Sequence, residues 1–356
     1  MKDSVLLKAI ACMVFAMAVQ GALALGKKDS GNGASAHESA ENIQGMELVV
    51  YAYDSFAGSW GPGPELVKRF EEASGCTVTL INCGSALQAF NRAALEKDNV
   101  QADVIIGIDS NLAAEAHESG ILESYVPRNA ESIVDASLVQ ELGGTWELTP
   151  YDYGYFALIY DSQSSVPAPT SLGDLTKDVY KKKFIIMDPR TSSPGLGFVA
   201  WTKAVFGDKT EQFWNDLKPS ILTMTPGWSA GWGMFLNGEA PLVISYNTSP
   251  AYNVEYDQND RFKTLLFAEG HVRQVEGAGV LKGAPHAKAA KAFIDFLVTK
   301  EAQELLPLTQ WMYPVNKTVD LPQSYQTAAP LPEKTLTIDS GTVSQTVPVV
   351  MDILSR

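Results

Sequence analysis

The chain has 356 residues, of which 46% are hydrophobic and 19% charged; this is a typical globular composition, at a length where one core usually gives way to two. With 41 acidic against 27 basic residues and a net charge of −14, it gives nucleic acid no electrostatic footing and favours a cationic ligand only weakly. No stretch beyond the N-terminus approaches the ~20 apolar residues that span a bilayer, so an integral membrane protein is not expected.

At the N-terminus Lys2 and Lys8 are followed by an apolar run over 9–19 and then by Ala22-Leu23-Ala24. A basic segment, a short apolar stretch and an A-x-A site read as a secretory signal over 1–24, so the mature protein is expected to be exported. Cys12 follows Ala9-Ile10-Ala11, a poor lipobox, and the apolar run continues past it; a lipid anchor is the lesser alternative. Residues 25–45 are small and polar without an apolar period and read as a flexible linker.

From there helices and strands alternate. Residues 46–53 read as a strand, 64–74 as a helix with Leu66, Val67 and Phe70 on one face and Gly75 as its stop, and 77–81 as a strand. A helix over 86–96, a continuous apolar strand over 102–108 and a helix over 112–119 complete a βαβαβα series, which implies a mainly parallel sheet flanked by helices. Cys76 and Cys83 fall in one extended run, about 23 Å apart at strand rise, too far for a disulfide; both are expected as free, mostly buried thiols. The histidines at 37, 117, 271 and 286 are too scattered for a metal cluster.

The aromatic, β-rich stretch 151–161 leads into a second lobe, with strands over 184–187, 221–224 and 241–246 and helices over 196–206 and 211–217. The chain returns near 267–277, and helices over 286–298 and 301–306 rejoin the first lobe. The expected organisation is 46–151 for the first lobe, 152–266 for the second, and 267–356 for the return and the C-terminal helices, with two crossing strands as a hinge.

In open α/β sheets ligands sit at the carboxyl ends of the strands, which singles out Asp54-Ser55-Phe56, Gly84-Ser85 and Asp109-Ser110. Tyr53, Asp54 and Trp60 combine rings with a carboxylate, which suits an aromatic cation; alternatively Tyr51 and Phe56 are core and the Pro-Gly-Pro over 62–64 only opens a helix. DPRTSSPGLG over 188–197 lies between a strand and a helix, so Ser192 and Ser193 can hold an anion at a helix N-terminus. The competing use is N-capping by either serine, with Arg190 held by Asp188. Gly227-Trp228-Ser229-Ala230-Gly231 has the nucleophile-elbow pattern, yet only His271 and His286 follow it and no oxyanion segment is evident; the turn can instead offer the face of Trp228. SYNTSPAY over 245–252 puts polar and aromatic groups at a strand end, whereas Trp311 lies in an aromatic cluster of a kind more often found in a core.

The motifs YDSF, WGPGP, DPRTSSPGLG, GWS, SYNTSPAY and QWMYP, in that order, closely resemble those of the periplasmic thiamine-binding proteins of bacterial ABC importers. The resemblance runs from residue 46 to the late helices and fades from about Thr318. It implies a two-lobed α/β type II periplasmic-binding-protein fold, each lobe a mainly parallel sheet flanked by helices, with a two-strand hinge. The ligand would be thiamine, thiamine monophosphate or thiamine diphosphate, with no catalysis and no catalytic cofactor. The partners would be an importer's permease and its ATPase, with the receptor a monomer. It also puts ligand contacts on Tyr53, Asp54 and Trp60, on Ser192 and Ser193, on Trp228, on Tyr246, Asn247, Thr248 and Ser249, on Tyr252 and on Trp311, to which the strand-end rule adds Gly84, Ser85 and Asp109. Rings would stack on the aminopyrimidine and thiazolium, Asp54 or Asp109 would accept from the exocyclic amine, and Ser192 and Ser193 would hold a phosphate. Where such proteins carry an Asp-Gly turn, this chain has Cys83-Gly84-Ser85, so one carboxylate is lost. The rivals are a ferric-ion or polyamine receptor of the same fold and, in another class, an exported serine esterase using Ser229.

Overall fold

The computed structural model describes residues 43–356; the expected signal over 1–24, Cys12, His37 and the linker as far as residue 42 lie outside the described residues. The strands within that range are β1 (Glu47–Ala52), β2 (Thr77–Asn82), β3 (Val104–Asp109), β4 (Leu122–Glu123), β5 (Thr149–Asp161), β6 (Phe184–Met187), β7 (Ile221–Thr225), β8 (Leu242–Tyr246), β9 (Phe262–Leu265), β10 (His271–Leu281), β11 (Tyr313–Pro314) and β12 (Thr335–Leu336). Their order is β2-β1-β3-β10-β5-β8-β6-β7, with β4 and β12 paired to β10 and β9 and β11 paired to β5.

β1 pairs in parallel with β2 and β3, and β6 in parallel with β7 and β8. These parallel groups are the centres of two lobes. β3 (VIIGID) is buried along its whole length, as a continuous apolar run requires when helices cover both faces of a sheet. Strand alternation then divides the residues of β1 and β3 as far as Gly107, whose φ of 101° interrupts it before Ile108. Leu48, Val50, Val104 and Ile106 enter one core with Phe56, Phe70 and Phe293, while Tyr51, Ile105 and Ile108 enter the other with Phe90 and Leu138. The second lobe is built on Phe156, Phe198, Trp201, Trp214 and Phe235.

β5 and β10 join the lobes. Residues 149–155 of β5 pair with β10, and 156–160 pair with β8; β10 in turn pairs with β3 over 276–280. Both pairings shift register beside Gly277. A bulge bends and twists a strand, and here it lies where the two lobes part to leave a gap.

The helices follow local chemistry. Gly63–Ser74 ends at Gly75, whose φ of 71° and N–H bond to Glu71 close the last turn, and Ala86–Leu95 begins in a Ser85/Gln88 capping box. The helix expected from 196 starts earlier, at Ser193, because Pro194 is tolerated in a first turn. The helix expected over 301–306 is two pieces, Lys300–Gln303 and Leu306–Thr309; Pro307 cannot continue a preceding helix but can open a new one. Ala130–Ile133 and Ala136–Glu141 are helical turns too short to show a period in the sequence. The helix Ser340–Ser355 places Val343, Val350 and Ile353 in the second lobe's core, so the range 267–356 serves both lobes. Cys76 is buried, Cys83 is half-buried, and both are free thiols.

Candidate functional site

A cleft of about 630 Å³ opens between the lobes at the carboxyl ends of β1, β2, β3 and β6. It is lined by Tyr53, Asp54, Trp60, Gly84, Ser85 and Asp109 from the first lobe, by Ser192, Ser193, Trp228, Tyr246 and Ser249 from the second, and by Trp311 after the late helices. Twelve of the fifteen residues singled out in the sequence therefore meet in one gap.

Three do not. Asn247 is fully buried beneath the site, where its Oδ1 accepts from Tyr155 N–H at 3.0 Å and its Nδ2 donates to Tyr313 Oη at 3.1 Å and to the Pro330 carbonyl at 2.8 Å. Its amide pins the crossing strand rather than facing the cleft. Thr248 is fully buried too. Tyr252 lies outside, 40% exposed, with its ring edge-on to Trp311 at 5.3 Å. Sequence order puts these three beside Tyr246 and Ser249, but the turn and helix after β8 direct them elsewhere.

Tyr53 follows the end of β1 and occupies the N-cap position of the short helix Asp54–Ala57. Its ring fits only because Gly107, at φ 101°, has no Cβ; one added there would lie 2.3 Å from Tyr53 Cδ1. Gly107→Ala is therefore expected to move the ring and cost about 1–3 kcal/mol of stability, read as a lower urea midpoint with unchanged slope. Asp54 N–H bonds the Gly84 carbonyl at 2.7 Å, which ties the ends of β1 and β2 together. Gly84 has φ 91° and leaves room for Gln88, which completes the capping box with Ser85. Ser85 thus caps a helix at the cleft wall. Trp60 stands at the lip, 53% exposed.

The opposite wall begins with the helix Ser193–Phe206. Ser192 occupies the N-cap position, yet its hydroxyl makes no capping bond and is buried without a partner. The capping expected of this serine is therefore not made, and the exposed N–H groups of a helix start remain available to an anion. Arg190 is engaged by Asp188 through Nε at 2.9 Å and Nη2 at 2.6 Å, and this guanidinium holds the Asp188 carboxyl below its usual range. Trp228 opens the helix Trp228–Leu236, so Ser229 sits in an ordinary first turn with no left-handed backbone strain. The indole stacks on Trp232 at 5.7 Å and donates to Ser245 Oγ at 2.8 Å, which in turn contacts Ser249 Oγ at 2.7 Å. That relay fixes the plane of the ring.

Trp311 has φ 58°, rare for a bulky residue. The edges of Tyr252 and Tyr256 hold it at 5.3 and 5.7 Å. Strain of this kind persists where surroundings over-determine the backbone, often at ligand clamps.

Among the lining residues that the sequence did not single out are Glu276 and Gln310. Glu276 accepts from Tyr53 Oη at 2.5 Å, from Gln274 Nε2 at 2.6 Å and from the Tyr151 hydroxyl, while Gln310 donates to Tyr53 Oη. Burial pushes the Glu276 carboxyl up to about 7, against the pull of those hydroxyls. The available signal was a single acid inside the apolar crossing strand, a position that demands partners.

Comparison with known proteins bears on the same architecture. Residues 65–333 match the family described as bacterial extracellular solute-binding protein. The thiamine-binding periplasmic protein of Brucella abortus biovar 1 (strain 9-941) is 40% identical over 82% of this chain and 86% of its own. A solved periplasmic thiamin binding protein superposes with a TM-score of 0.79 at 35% identity, covering 87% of this chain and 96% of the other. A ferric binding protein from Campylobacter jejuni superposes with a TM-score of 0.72 at 19% identity, over 86% of this chain and 98% of its own, a likeness of fold alone.

Proposed function

The chain belongs to the bacterial extracellular solute-binding protein family and has its type II periplasmic-binding-protein fold, and on that premise we propose that it is an exported receptor for thiamine. It captures thiamine, with or without its phosphates, between the lobes in the periplasm and hands it to the permease and ATPase of an ABC importer. The observation that carries this reading is the lining of the cleft. Trp60 and Tyr53 from one lobe, Trp228 and Tyr246 from the other, and Trp311 surround a space whose buried acids are Asp109 and Glu276. The one arginine in that lining, Arg190, is already neutralised by Asp188.

Flat faces with buried carboxylates suit a planar cation. A desolvated cation–π contact contributes ~2 kcal/mol, and nanomolar affinity needs about 12, so several rings and the lobe closure must act together. Ser192, with its free hydroxyl at a helix start, is the place for a phosphate when the ligand carries one. The helix start and the carboxylates belong to different lobes, and Ser193 of the one faces Asp109 of the other.

The rival readings gain less from the site. Among the described residues no group of three His, Cys, Asp or Glu side chains is placed to hold a metal ion. The described histidines are engaged away from Ser229: His117 with Glu147, His271 with the Phe156 carbonyl and Phe267 N–H, and His286 with Asp103. The site thus gives Ser229 no proton relay, and Ser229→Ala is expected to leave thiamine affinity and any trace ester hydrolysis alike.

Intrinsic fluorescence tests the function, because three of the chain's seven tryptophans line the cleft. Saturable quenching by thiamine and its two phosphates, but not by ferric ion or spermidine, is the expected result. Saturation by ferric ion or spermidine with no response to any thiamine form would contradict it.

A further inference from the structure

Three acids lie side by side across the crossing strands. Glu276 on β10 is the register partner of Asp109 on β3 and of Asp152 on β5, and their exposures are 6%, 1% and 0%. Like charges directly opposed in a sheet are destabilising, and burial compounds the cost. Groups from four neighbouring segments and from β10 itself surround Glu276. The end of β1 contributes the Tyr53 hydroxyl, β3 contributes Asp109, β5 contributes the Tyr151 hydroxyl and Asp152, and β8 contributes Tyr246, whose hydroxyl bonds Gln274 at 3.0 Å. On β10 itself Gln274 donates to Glu276, while Arg273 is paired with Glu141.

Apart from Arg273, whose charge is taken up by Glu141, every one of these neighbours is neutral or acidic. Both carboxyl oxygens of Asp152 and Oδ2 of Asp109 are buried without a hydrogen-bond partner. Burial raises both carboxyls, with the charge of Glu276 adding to the effect on Asp152 and the Ser193 hydroxyl across the cleft opposing it on Asp109. A buried acid with no countercharge neutralises itself by keeping a proton. Asp109 and Glu276 line the cleft, so a cation entering there supplies the countercharge the fold lacks.

We propose that Glu276 selects the cationic ligand, and that its capture expels a proton from the Asp109–Glu276–Asp152 row into solvent. This rests on the thiamine reading for the identity of the cation. The exchange is balanced: one fixed positive charge enters the cleft, one carboxylic O–H bond breaks, and the proton goes to buffer. The empty receptor holds the proton at acid pH, so affinity rises with pH until the row ionises unaided, near pH 7 for Glu276, and is level above that.

Calorimetry of the mature protein with thiamine tests this between about pH 5.5 and 8.5. At a pH below 7, the binding heat should differ between phosphate and Tris buffers by an amount corresponding to proton release. Affinity should fall by up to about tenfold per pH unit on the acid side. Glu276→Gln should flatten the pH profile, abolish most of the buffer dependence and weaken thiamine at least tenfold, while a reduced, uncharged thiamine analogue binds no worse than to the parent. Because Glu276 also anchors Tyr53 and Tyr151, Asp152→Asn serves as a second variant; it leaves those bonds in place and should reduce the proton count. Tight thiamine binding with equal heats in both buffers and a flat pH profile would overturn the proposal and leave the function standing. Failure of thiamine to bind at any pH would overturn both.

Discussion

Trp228→Ala is expected to weaken thiamine binding at least tenfold, the equivalent of about 1.4 kcal/mol, with little change in fold. The indole is not a loose surface ring. It stacks on Trp232, and its Nε1–H is held by Ser245, itself held by Ser249, so its free face is fixed toward the cleft before any ligand arrives. Preorganisation of this kind lowers the entropy that binding must otherwise supply. Truncation removes the face and leaves Ser245 to water. Trp228→Phe keeps a face without the hydrogen bond and should fall between the two. Titration calorimetry decides the matter, and unchanged affinity in the alanine variant would remove Trp228 from the binding surface.

The largest loss of stability is expected at Trp201. Its side chain is fully buried in the second lobe, packs on His271 at 4.5 Å and Phe267 at 5.8 Å, and donates Nε1–H to the Gly270 carbonyl at 2.8 Å. Trp201→Ala creates a large cavity and orphans a buried carbonyl, a combined cost of about 3–5 kcal/mol. The damage should spread to the crossing strand. His271 begins β10, its Nδ1 bonds the Phe156 carbonyl on β5, and its Nε2 accepts from Phe267 N–H. Burial lowers the basicity of that imidazole, which keeps it neutral and both bonds intact; a cavity that admits water would relieve this and loosen the hinge. Urea unfolding of the parent and the variant measures the cost, and a change below about 1 kcal/mol would show that the pocket repacks around the gap.

Much of this architecture could be read from the residues. The first strands, their helices and the stop at Gly75 follow from apolar period and turn chemistry, and the strand-end rule alone brought Asp54, Gly84, Ser85 and Asp109 to one gap. What the sequence hid has physical causes. Asn247, Thr248 and Tyr252 share a motif with Tyr246 and Ser249, but a turn sends neighbouring residues to opposite sides, and linear spacing does not say which. Glu276 and Asp152 are acids inside largely apolar strands, and only cross-strand register reveals that they stand beside each other and beside Asp109. The late helix Ser340–Ser355 carries a Pro348 that weakens its helical signal, and the surface it covers belongs to a lobe distant in sequence.

A crystal grown with excess thiamine tests the central claim most directly. A single heterocycle is expected in the gap between the lobes, its rings against Tyr53, Trp228 and Trp311 and its positive charge toward Asp109 and Glu276. Lobes found closed on an empty gap, with thiamine absent or bound elsewhere on the surface, would contradict it.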